Sequence, residues 1–442
     1  MIPGTVPDTP AIARRYDAIP YAAQSNALSH PAHLATVATL FGLAPAPVAT
    51  CRVLEVGCSD GANLLPMAAV LPRARFVGCD VSPRAIATAR AGAAALGLAN
   101  VALVERDLAE LTDEPAEYDY IVAHGIYSWV PAPVRDALLA LAARRLARNG
   151  VLFVSYNVYP GCHVRQAAWE VLRHHVAAIA DPPERVAAAR AFAALMAEPG
   201  AAQNEADALL RHEFARVVAA TDSALAHDDL AVPNDPVYFH EFATHLARHD
   251  LAFVAEARLP AVGRAGLSPG MRALVGDMPP LAREQYLDFA RLSRFRQSVV
   301  CRADAGGGRP LDATRVADMH VAAALPLVRA AAEGKALAAA AESADPNVRA
   351  LRRVLQWLTG LAPRSVPVAE VADWQRRHAP ADAAGARPVT ELLAEACLAG
   401  SVDLSVQPPA FVPVPSARPV ASPLVRWQAA RQSTVTNLRH ET

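Results

Sequence analysis

Five short β-rich segments alternate with helical segments between residues 51 and 156, and this alternation constrains the fold more than any other sequence feature. The intervening segments are rich in Ala, Leu and Arg, and Pro83 and Pro133 stand where the first turn of a helix tolerates proline. Alternating strands and helices predict a parallel sheet with helices on both faces, a doubly wound α/β domain. The β-rich segments are Val53 to Val56, Phe76 to Asp80, Val101 to Glu105, Tyr120 to Ala123 and Val151 to Tyr156.

Three further regions flank this core. A helix from His30 to Phe41 precedes it, and residues 1–50 are expected to cap a ligand in the core. After the core, at residues 51–180, the pattern becomes mainly helical, which predicts a second domain at residues 181–305. Gly306-Gly307-Gly308 indicates a flexible joint. Helices followed by a β-like run, Val402 to Val406, predict a small, winged-helix-like α+β domain at residues 306–442.

Charge and hydrophobicity exclude several classes of partner. The 442 residues carry 42 Lys and Arg against 43 Asp and Glu, so there is no cationic excess to neutralise a phosphate backbone, and we expect no nucleic-acid partner. Charged residues interrupt each apolar run before the ~18 to 20 residues that a bilayer requires, so we expect no membrane insertion. The first residues lack the basic start and apolar run of a signal peptide, which predicts a cytoplasmic protein.

Cysteine and histidine spacing argues against a metal site or a hydrolase. The six cysteines contain no C-x-x-C pair, so we expect reduced, mostly buried thiols rather than a disulfide framework or a zinc cluster. His240 and His245 are five residues apart and do not share a helix face, which excludes a metalloprotease helix. Ser128 and Ser155 lack the G-x-S-x-G elbow of a hydrolase nucleophile. We therefore predict no metal ion.

The loop after the first predicted strand reads Glu55-Val56-Gly57-Cys58-Ser59-Asp60-Gly61 and lies at the edge of the sheet where open α/β folds bind ligands. Gly57 and Gly61 allow a tight turn, and the following helix offers free N–H groups to a carboxylate. The amino-acid end of S-adenosylmethionine carries such a carboxylate. Ser59 occupies the second glycine position of the dinucleotide motif, where a side chain would crowd a pyrophosphate, so NAD is disfavoured.

Two aspartates extend this prediction. Asp80 ends the second strand about 20 residues further on, where an acidic side chain can accept both ribose hydroxyls. Asp107 follows the third strand and can accept from the adenine amino group. Each glycine or aspartate alone also fits an ordinary turn or helix cap, but their combination favours S-adenosylmethionine. The predicted cofactor-binding residues are Tyr21, Glu55, Val56, Gly57, Cys58, Ser59, Gly61, Asp80, Val81, Asp107, Leu108 and His124.

Several segments spread over the chain resemble one family. They are Tyr16 to Tyr21, His124 to Pro131, Tyr156 to Gly161, Tyr238 to Phe242, Phe295-Arg296-Gln297 and Val435 to Glu441. With them the chain resembles the class I methyltransferases, a doubly wound Rossmann-like core, and more narrowly a bacterial group with a methyltransferase regulatory domain. Some members, including rickettsial enzymes, methylate protein lysines. The resemblance implies S-adenosylmethionine as cofactor, a protein acceptor and a homodimer.

The sequence departs from this family at two places. Cys162 stands where tryptophan is expected after Pro160-Gly161, and the sequence ends at Glu441-Thr442 where relatives usually continue. A shortened C-terminal domain would either alter acceptor recognition or reflect a truncated chain, and both departures motivate the hypothesis of a cofactor-binding protein without turnover.

Two segments that end the fourth and fifth strands should face the acceptor. Their aromatic rings can contact a cationic sulfonium or amine, Asn157 can accept from the amine, and His163 can relay a proton. The alternative is that these side chains only fill the crevice, and that His163 begins a helix. The predicted catalytic residues are Tyr156, Asn157, Tyr127, His163, Tyr159 and Trp129.

The leading hypothesis is an S-adenosylmethionine-dependent methyltransferase whose mainly helical regulatory domain and C-terminal domain position a macromolecular acceptor, such as a protein lysine. A second hypothesis keeps the chemistry and makes the acceptor a small molecule, because the fold does not decide the acceptor. A third is a protein that binds the cofactor without turnover and acts as a regulatory or scaffolding partner.

Overall fold

The computed structural model describes residues 9–113, 117–198, 200, 204–333, 345–378, 385–408, 414 and 416–442. Its centre is a seven-stranded sheet with the strand order β3-β2-β1-β4-β5-β7-β6. The strands are β1 Arg52–Val56, β2 Arg75–Asp80, β3 Val101–Glu105, β4 Tyr118–Ala123, β5 Leu146–Asn157, β6 Leu251–Glu256 and β7 Phe295–Arg302. The predicted α/β fold with a doubly wound core is confirmed.

The order of the sheet reverses between β1 and β4, which are parallel neighbours. In open α/β sheets a crevice forms at the carboxyl ends of the two strands where the order reverses, because their following loops diverge to opposite faces. The loop after β1 and the segment after β4 therefore form the two sides of one crevice.

Helices cover both faces of the sheet. Those of the described residues are α1 Thr9–Ala18, α2 Pro31–Leu40, α3 Leu64–Val70, α4 Pro83–Ala95, α5 Ala132–Arg145, α6 Cys162–His175, α7 Pro182–Ala197, α8 Glu205–Ala219, α9 Asp222–Ala224, α10 Phe239–Ala247, α11 Leu259–Val262, α12 Pro269–Gly276, α13 Pro280–Arg291, α14 Leu325–Ala332, α15 Pro346–Gly360, α16 Val368–His378, α17 Val389–Leu398 and α18 Pro423–Ala429. The side-chain oxygens of Ser82 and Asp181 cap the starts of α4 and α7 by accepting hydrogen bonds from backbone N–H groups of the first turn.

The region after residue 180, expected to be mainly helical, also supplies β6 and β7 to the central sheet. β7 lies between β5 and β6 and is antiparallel to both. Val299, Val300 and Cys301 are fully buried, because both faces of this strand are covered. The predicted boundary at residue 180 thus separates strands that share one sheet, and the division into domains stays a prediction.

Helix α2, expected to cap the ligand, lies instead in the core. Leu34, Val37 and Leu40 are fully buried, and they belong to one apolar cluster with side chains of the central sheet. Apolar residues lie on every side of this helix. A helix without a polar face is buried on all sides, which explains its position in the core.

The C-terminal region contains a small antiparallel sheet of β8 His320–Ala323, β9 Val366–Pro367 and β10 Val402–Ser405, in the order β10-β8-β9. Helices α15 and α17 pack against it through Leu358 and Leu393, which are fully buried. This arrangement agrees with the predicted small α+β unit. Residues 334–344, 379–384, 409–413 and 415 of the predicted C-terminal domain, and residues 1–8 of the predicted cap, lie outside the described residues.

All six cysteines are buried free thiols, as the spacing predicted. Among the described helices, none combines the length and the apolar character needed to cross a bilayer.

Candidate functional site

A cavity of about 890 Å³ occupies the crevice at the carboxyl ends of the parallel strands. The loops after β1, β2 and β4 form its floor, the end of β5 forms one side, and residues 20–27 with parts of α1 cover it. Of the residues predicted to bind the cofactor, all except Gly61 line this cavity. The cap is therefore made by the segment before α2 and not by α2 itself.

The backbone geometry of the loop after β1 requires glycine at two positions. Gly57 has φ of 70°, and a Cβ built on it would lie 2.2 Å from the Cδ1 atom of Ile126. Gly61 has φ of 80°, and its Cβ would lie 2.9 Å from the Cγ atom of Leu65. Ser59 also adopts a positive φ, 48°. Gly61 thus shapes the turn without facing the cavity.

Asp80 connects this loop to the end of β2. Its two carboxylate oxygens accept hydrogen bonds from the backbone N–H groups of Ser59, at 2.8 Å, and Ser82, at 2.9 Å. Burial raises the pKa of Asp80 although these backbone donors oppose the shift. Each oxygen keeps a lone pair, so the carboxylate can still accept from ligand hydroxyls.

Glu55, at the end of β1, is a buried carboxyl group on the cavity wall. Its Oε1 atom accepts a 2.6 Å hydrogen bond from the Nδ2 atom of Asn63. Its Oε2 atom is buried and has no hydrogen-bond partner within the part of the chain that the structure describes. Burial raises the pKa of Glu55 to about 8. A cationic ligand would supply the missing partner, since an unpaired buried carboxylate is costly.

Acidic side chains outnumber basic ones around the cavity, seven carboxyl groups against three guanidinium groups. They are Asp17, Glu55, Asp60, Asp80, Asp107, Asp228 and Glu441, with Arg84, Arg106 and Arg165. A concave site with this excess of one sign favours a ligand of the opposite charge. The wall therefore suits a sulfonium compound with a free ammonium group better than a dinucleotide pyrophosphate.

Two of the predicted catalytic residues, Asn157 and Trp129, line the cavity. The Nδ2 atom of Asn234 donates to the carbonyl oxygen of Asp228, so Asn234 Oδ1 accepts a 2.8 Å hydrogen bond from Asn157 Nδ2. This leaves Oδ1 as the atom with which Asn157 can accept from a ligand. The indole N–H of Trp129 is buried and has no acceptor among the described residues.

Tyr156 does not reach the cavity. It is fully buried, stacks on Phe242 with ring centroids 4.1 Å apart, and lies 3.0 Å from the Oγ atom of Ser298. Ser298 in turn donates to Glu256, which also pairs with Arg296. Successive residues of a strand point to opposite faces, so Asn157 faces the cavity where Tyr156 cannot.

Tyr127, Tyr159 and His163 are also absent from the cavity wall. The Tyr127 hydroxyl lies 2.8 Å from the Nδ1 atom of His245. His245 also belongs to a group of three side chains, with Asp136 and His249, whose potential metal-ligand atoms lie within 4.8 Å of one another. The sequence predicted no metal site.

The Tyr159 hydroxyl donates to Gln166, and the ring stacks on His163 at 4.1 Å. His163 lies in the first turn of α6, the structural role that the sequence left open. Cys162, the departure from the family pattern, is fully buried, and its thiol donates to the carbonyl oxygen of Arg294. None of these three side chains contributes to the cavity in the described structure.

His124, predicted at the cofactor, lines the cavity after β4. Its Nδ1 atom lies 2.8 Å from the Oγ atom of Ser155, which also accepts from the backbone N–H of Gly125. Burial lowers the pKa of His124 to about 4, so the imidazole is neutral at pH 7. It can contribute a hydrogen bond but no charge.

Asp228 and Asn63 are among the acidic and polar wall residues that sequence reasoning missed. Asp228 lies in a π-helical turn, Leu225–Asp229, and burial raises its pKa to about 6. Such turns occur often at functional sites, but no periodicity in the sequence indicates them. Asn63 immediately precedes α3, and its position eight residues after Glu55 was the available signal.

Two family models match parts of the chain. A methyltransferase domain matches residues 53–150, and a predicted methyltransferase regulatory domain matches residues 221–302. The first match covers β1 to β5 up to residue 150, and the second includes β6 and β7 of the same sheet.

Two of the curated relatives are proteins of Rickettsia prowazekii. An uncharacterised protein of Rickettsia prowazekii is 32% identical over 291 residues, 65% of this chain and 53% of that relative. A second uncharacterised protein of the same organism is 29% identical over 228 residues, 51% of this chain and 91% of that relative. The chain thus spans about half the length of the first of these relatives.

One solved structure is similar over nearly the whole chain. PKMT2 from Rickettsia typhi, also determined in complex with AdoHcy, matches with a TM-score of 0.78 at 21% identity. The match covers 95% of this chain and 85% of PKMT2, or 96% and 85% for the complex. At this identity the likeness establishes the fold. By its two matches, the chain contains a methyltransferase domain and, after it in sequence, a predicted methyltransferase regulatory domain, which supports S-adenosylmethionine as the cofactor.

Proposed function

We propose that this protein transfers a methyl group from S-adenosylmethionine to a lysine amine of a protein. The observation that carries the proposal is the anionic crevice, in which Asp80 braces the glycine loop and the Oε2 atom of Glu55 has no partner among the described residues. The resemblance to bacterial lysine methyltransferases supports a lysine acceptor. The fold shared with PKMT2 from Rickettsia typhi agrees with it.

Different cavity residues bind different parts of the cofactor. Asp80 accepts from the ribose hydroxyls, Asp107 from the adenine amino group, and Glu55 pairs with the ammonium group. The segment Pro20 to Ala27 covers the ligand and excludes water. When bound, S-adenosylmethionine supplies an electrophilic methyl group on a sulfonium sulfur. The protein contributes alignment, which can supply roughly 7 to 11 kcal/mol of the barrier.

Asn157 and Asp228 form the acceptor side of the cavity. They are connected through Asn234, which bonds to the Asn157 amide and to the backbone of Asp228. A lysine ammonium must lose a proton before it reacts, which costs about 4.6 kcal/mol at pH 7. Asp228 stabilises the incoming ammonium and passes its proton to solvent, and Asn157 Oδ1 accepts a remaining N–H. The neutral amine would then be placed to take the methyl group, whose S–C bond would break as the N–C bond forms, with S-adenosylhomocysteine as the leaving group.

The resemblance also implies a homodimer, and we propose a cytoplasmic location. Exposed apolar side chains are concentrated on α12, α13 and the residues up to the start of β7, and large surfaces of this kind mark interfaces. They are Leu274, Leu281, Tyr286, Phe289, Leu292 and Phe295. We place the dimer contact on this surface, where Leu281→Asp should yield a monomer in light scattering.

Labelled S-adenosylmethionine incubated with bacterial protein fractions tests the function. We expect the label in tryptic peptides, on lysine side chains located by mass spectrometry, with its transfer reduced at least tenfold by Asp228→Asn and Asn157→Ala. Asp373→Asn changes an exposed side chain that does not line the cavity, and serves as the matched control. Label confined to small molecules would instead support the second hypothesis. Cofactor binding without consumption would support a scaffold.

A further inference from the structure

The segment 435–441 reaches the cavity at its last residue, Glu441, although the other lining residues are far from it in sequence. Glu441 lines the cavity, and the His440 ring is buried beside it. The Nε2 atom of His440 lies 2.7 Å from the Oδ1 atom of Asn63, across a sequence separation of 377 residues. We propose that His440 is a positioning residue of the cofactor site, which acts through Asn63 to hold the carboxyl group of Glu55. This inference rests on the proposed function.

Hydrogen bonding determines how this contact is oriented. The Oδ1 atom of Asn63 accepts a 2.9 Å hydrogen bond from the backbone N–H of Asn26, which can only donate. The other amide atom, Nδ2, therefore donates to Glu55 Oε1 at 2.6 Å. His440 must then donate from Nε2, so that nitrogen carries a proton.

Burial agrees with this assignment. His440 is 4% exposed, and desolvation, followed by the nearby His30, holds its pKa well below the usual range. A neutral ring with one N–H satisfies Asn63 without placing a second positive charge beside the cofactor. Because Asn63 holds the Oε1 atom of Glu55, the carboxyl group cannot rotate freely, and Oε2 keeps one direction.

Contacts outside the cavity hold the segment in place. The side-chain amide of Gln428 donates to the hydroxyl of Thr436 at 2.9 Å and accepts from its backbone N–H at 2.7 Å. The backbone N–H of Asn437 donates to the carbonyl oxygen of Glu441 at 2.8 Å, which closes a turn with His440 at φ of 61°.

The same segment connects the cavity to the C-terminal sheet. Arg439 lies 3.5 Å from Asp403, which belongs to β10.

Calorimetry with S-adenosylmethionine on His440→Ala tests the inference. We expect at least a tenfold rise in Kd. Gln keeps a side-chain N–H donor, so His440→Gln should restore most of the affinity. Arg439→Ala, which removes the neighbouring surface ion pair but not the contact with Asn63, is the matched control. If His440→Ala unfolds, His440→Phe keeps the ring volume without the donor and takes its place.

The pH dependence of binding separates positioning from packing. The hydrogen bond from Asn63 lowers the pKa of Glu55, against burial and the nearby Asp80 and Asp60, which raise it. The groups that face Glu55 also include the thiols of Cys58 and Cys79. Loss of the His440 contact loosens Asn63, so the pH midpoint of binding should move upward in His440→Ala and return in His440→Gln.

Failure of the two proposals can be distinguished. A folded wild-type chain that does not bind S-adenosylmethionine contradicts the proposed function. Wild-type binding with an unchanged Kd and an unchanged pH midpoint in His440→Ala overturns only the role of His440.

Discussion

The carboxylate of Asp80 accepts a 2.8 Å hydrogen bond from the backbone N–H of Ser59, so the residue that ends β2 holds the loop that follows β1. The other oxygen of the same carboxylate accepts a hydrogen bond from the backbone N–H of Ser82, in the loop after β2. One side chain thus braces two loops that border the cavity.

Asp80→Asn should weaken S-adenosylmethionine binding by about 10- to 100-fold, because hydrogen bonds to a charged group contribute about 1.5 to 3 kcal/mol. The amide keeps the shape of the side chain but can accept through only one atom. Calorimetry measures the effect. Asp373→Asn should leave the Kd unchanged, and equal affinities for Asp80→Asn and the wild type would exclude Asp80 as the ribose partner.

Gly57→Ala should abolish cofactor binding and destabilise the fold by about 1 to 3 kcal/mol, since strained backbone and a close contact add up. The new Cβ would meet Ile126 at 2.2 Å in a backbone with φ of 70°. Gly97→Ala is the matched control: its φ is 65°, but no heavy atom lies within 4 Å of the new Cβ. If both variants lose the same stability in denaturant unfolding, the contact with Ile126 has no effect.

Glu55→Gln should change how stability depends on pH. Burial raises the pKa of Glu55 to about 8 from a usual value of 4.5, so the folded state retains a proton that the unfolded state has released. The contribution of this carboxyl group to the free energy of unfolding is fully present below pH 4.5 and is lost as the pH rises to about 8. The Tm of Glu55→Gln relative to wild type should therefore rise across this window and level off above it. Parallel curves from pH 4.5 to 8 would contradict the raised pKa.

The same variant should bind S-adenosylmethionine more weakly than wild type, with the largest difference above pH 8. Only the ionised carboxylate attracts the cationic ligand, so wild-type affinity should rise with pH up to about 8 relative to Glu55→Gln. Proton release on binding, measured in buffers of different ionisation enthalpy, provides an independent check. Equal pH profiles would show that Glu55 does not contact the ligand's charge.

Tyr156→Phe should spare methyl transfer, whereas Asn157→Ala should reduce it at least tenfold. The Tyr156 hydroxyl lies against Ser298 in the core, and its loss should lower the free energy of unfolding by about 1 kcal/mol. Asn157 lines the cavity instead. Denaturant unfolding and turnover should both be measured for each variant. Lost turnover in a stable Tyr156→Phe protein would return Tyr156 to the catalytic residues.

Several features of this protein could be predicted from sequence because they depend on neighbours along the chain. Strands β1 to β5 and helices such as α4 follow from local alternation, proline positions and caps. The glycine loop and Asp80 could be located because a loop after one parallel strand always meets the end of the next at the same sheet edge. The buried cysteines likewise followed from their spacing.

Other features were determined only by tertiary structure. β7 joins the sheet between β5 and β6 through pairing across more than a hundred residues, which local pattern does not encode. Tyr156 and Asn157 are adjacent in sequence, but only the facing elements decide which of the two strand faces borders the cavity. Asp228 and Glu441 reach that cavity from distant segments. The sequence by itself determined the local elements and the cofactor loop, whereas long-range packing decided which side chains surround the ligand, because burial and hydrogen-bond partners exist only once the chain has folded.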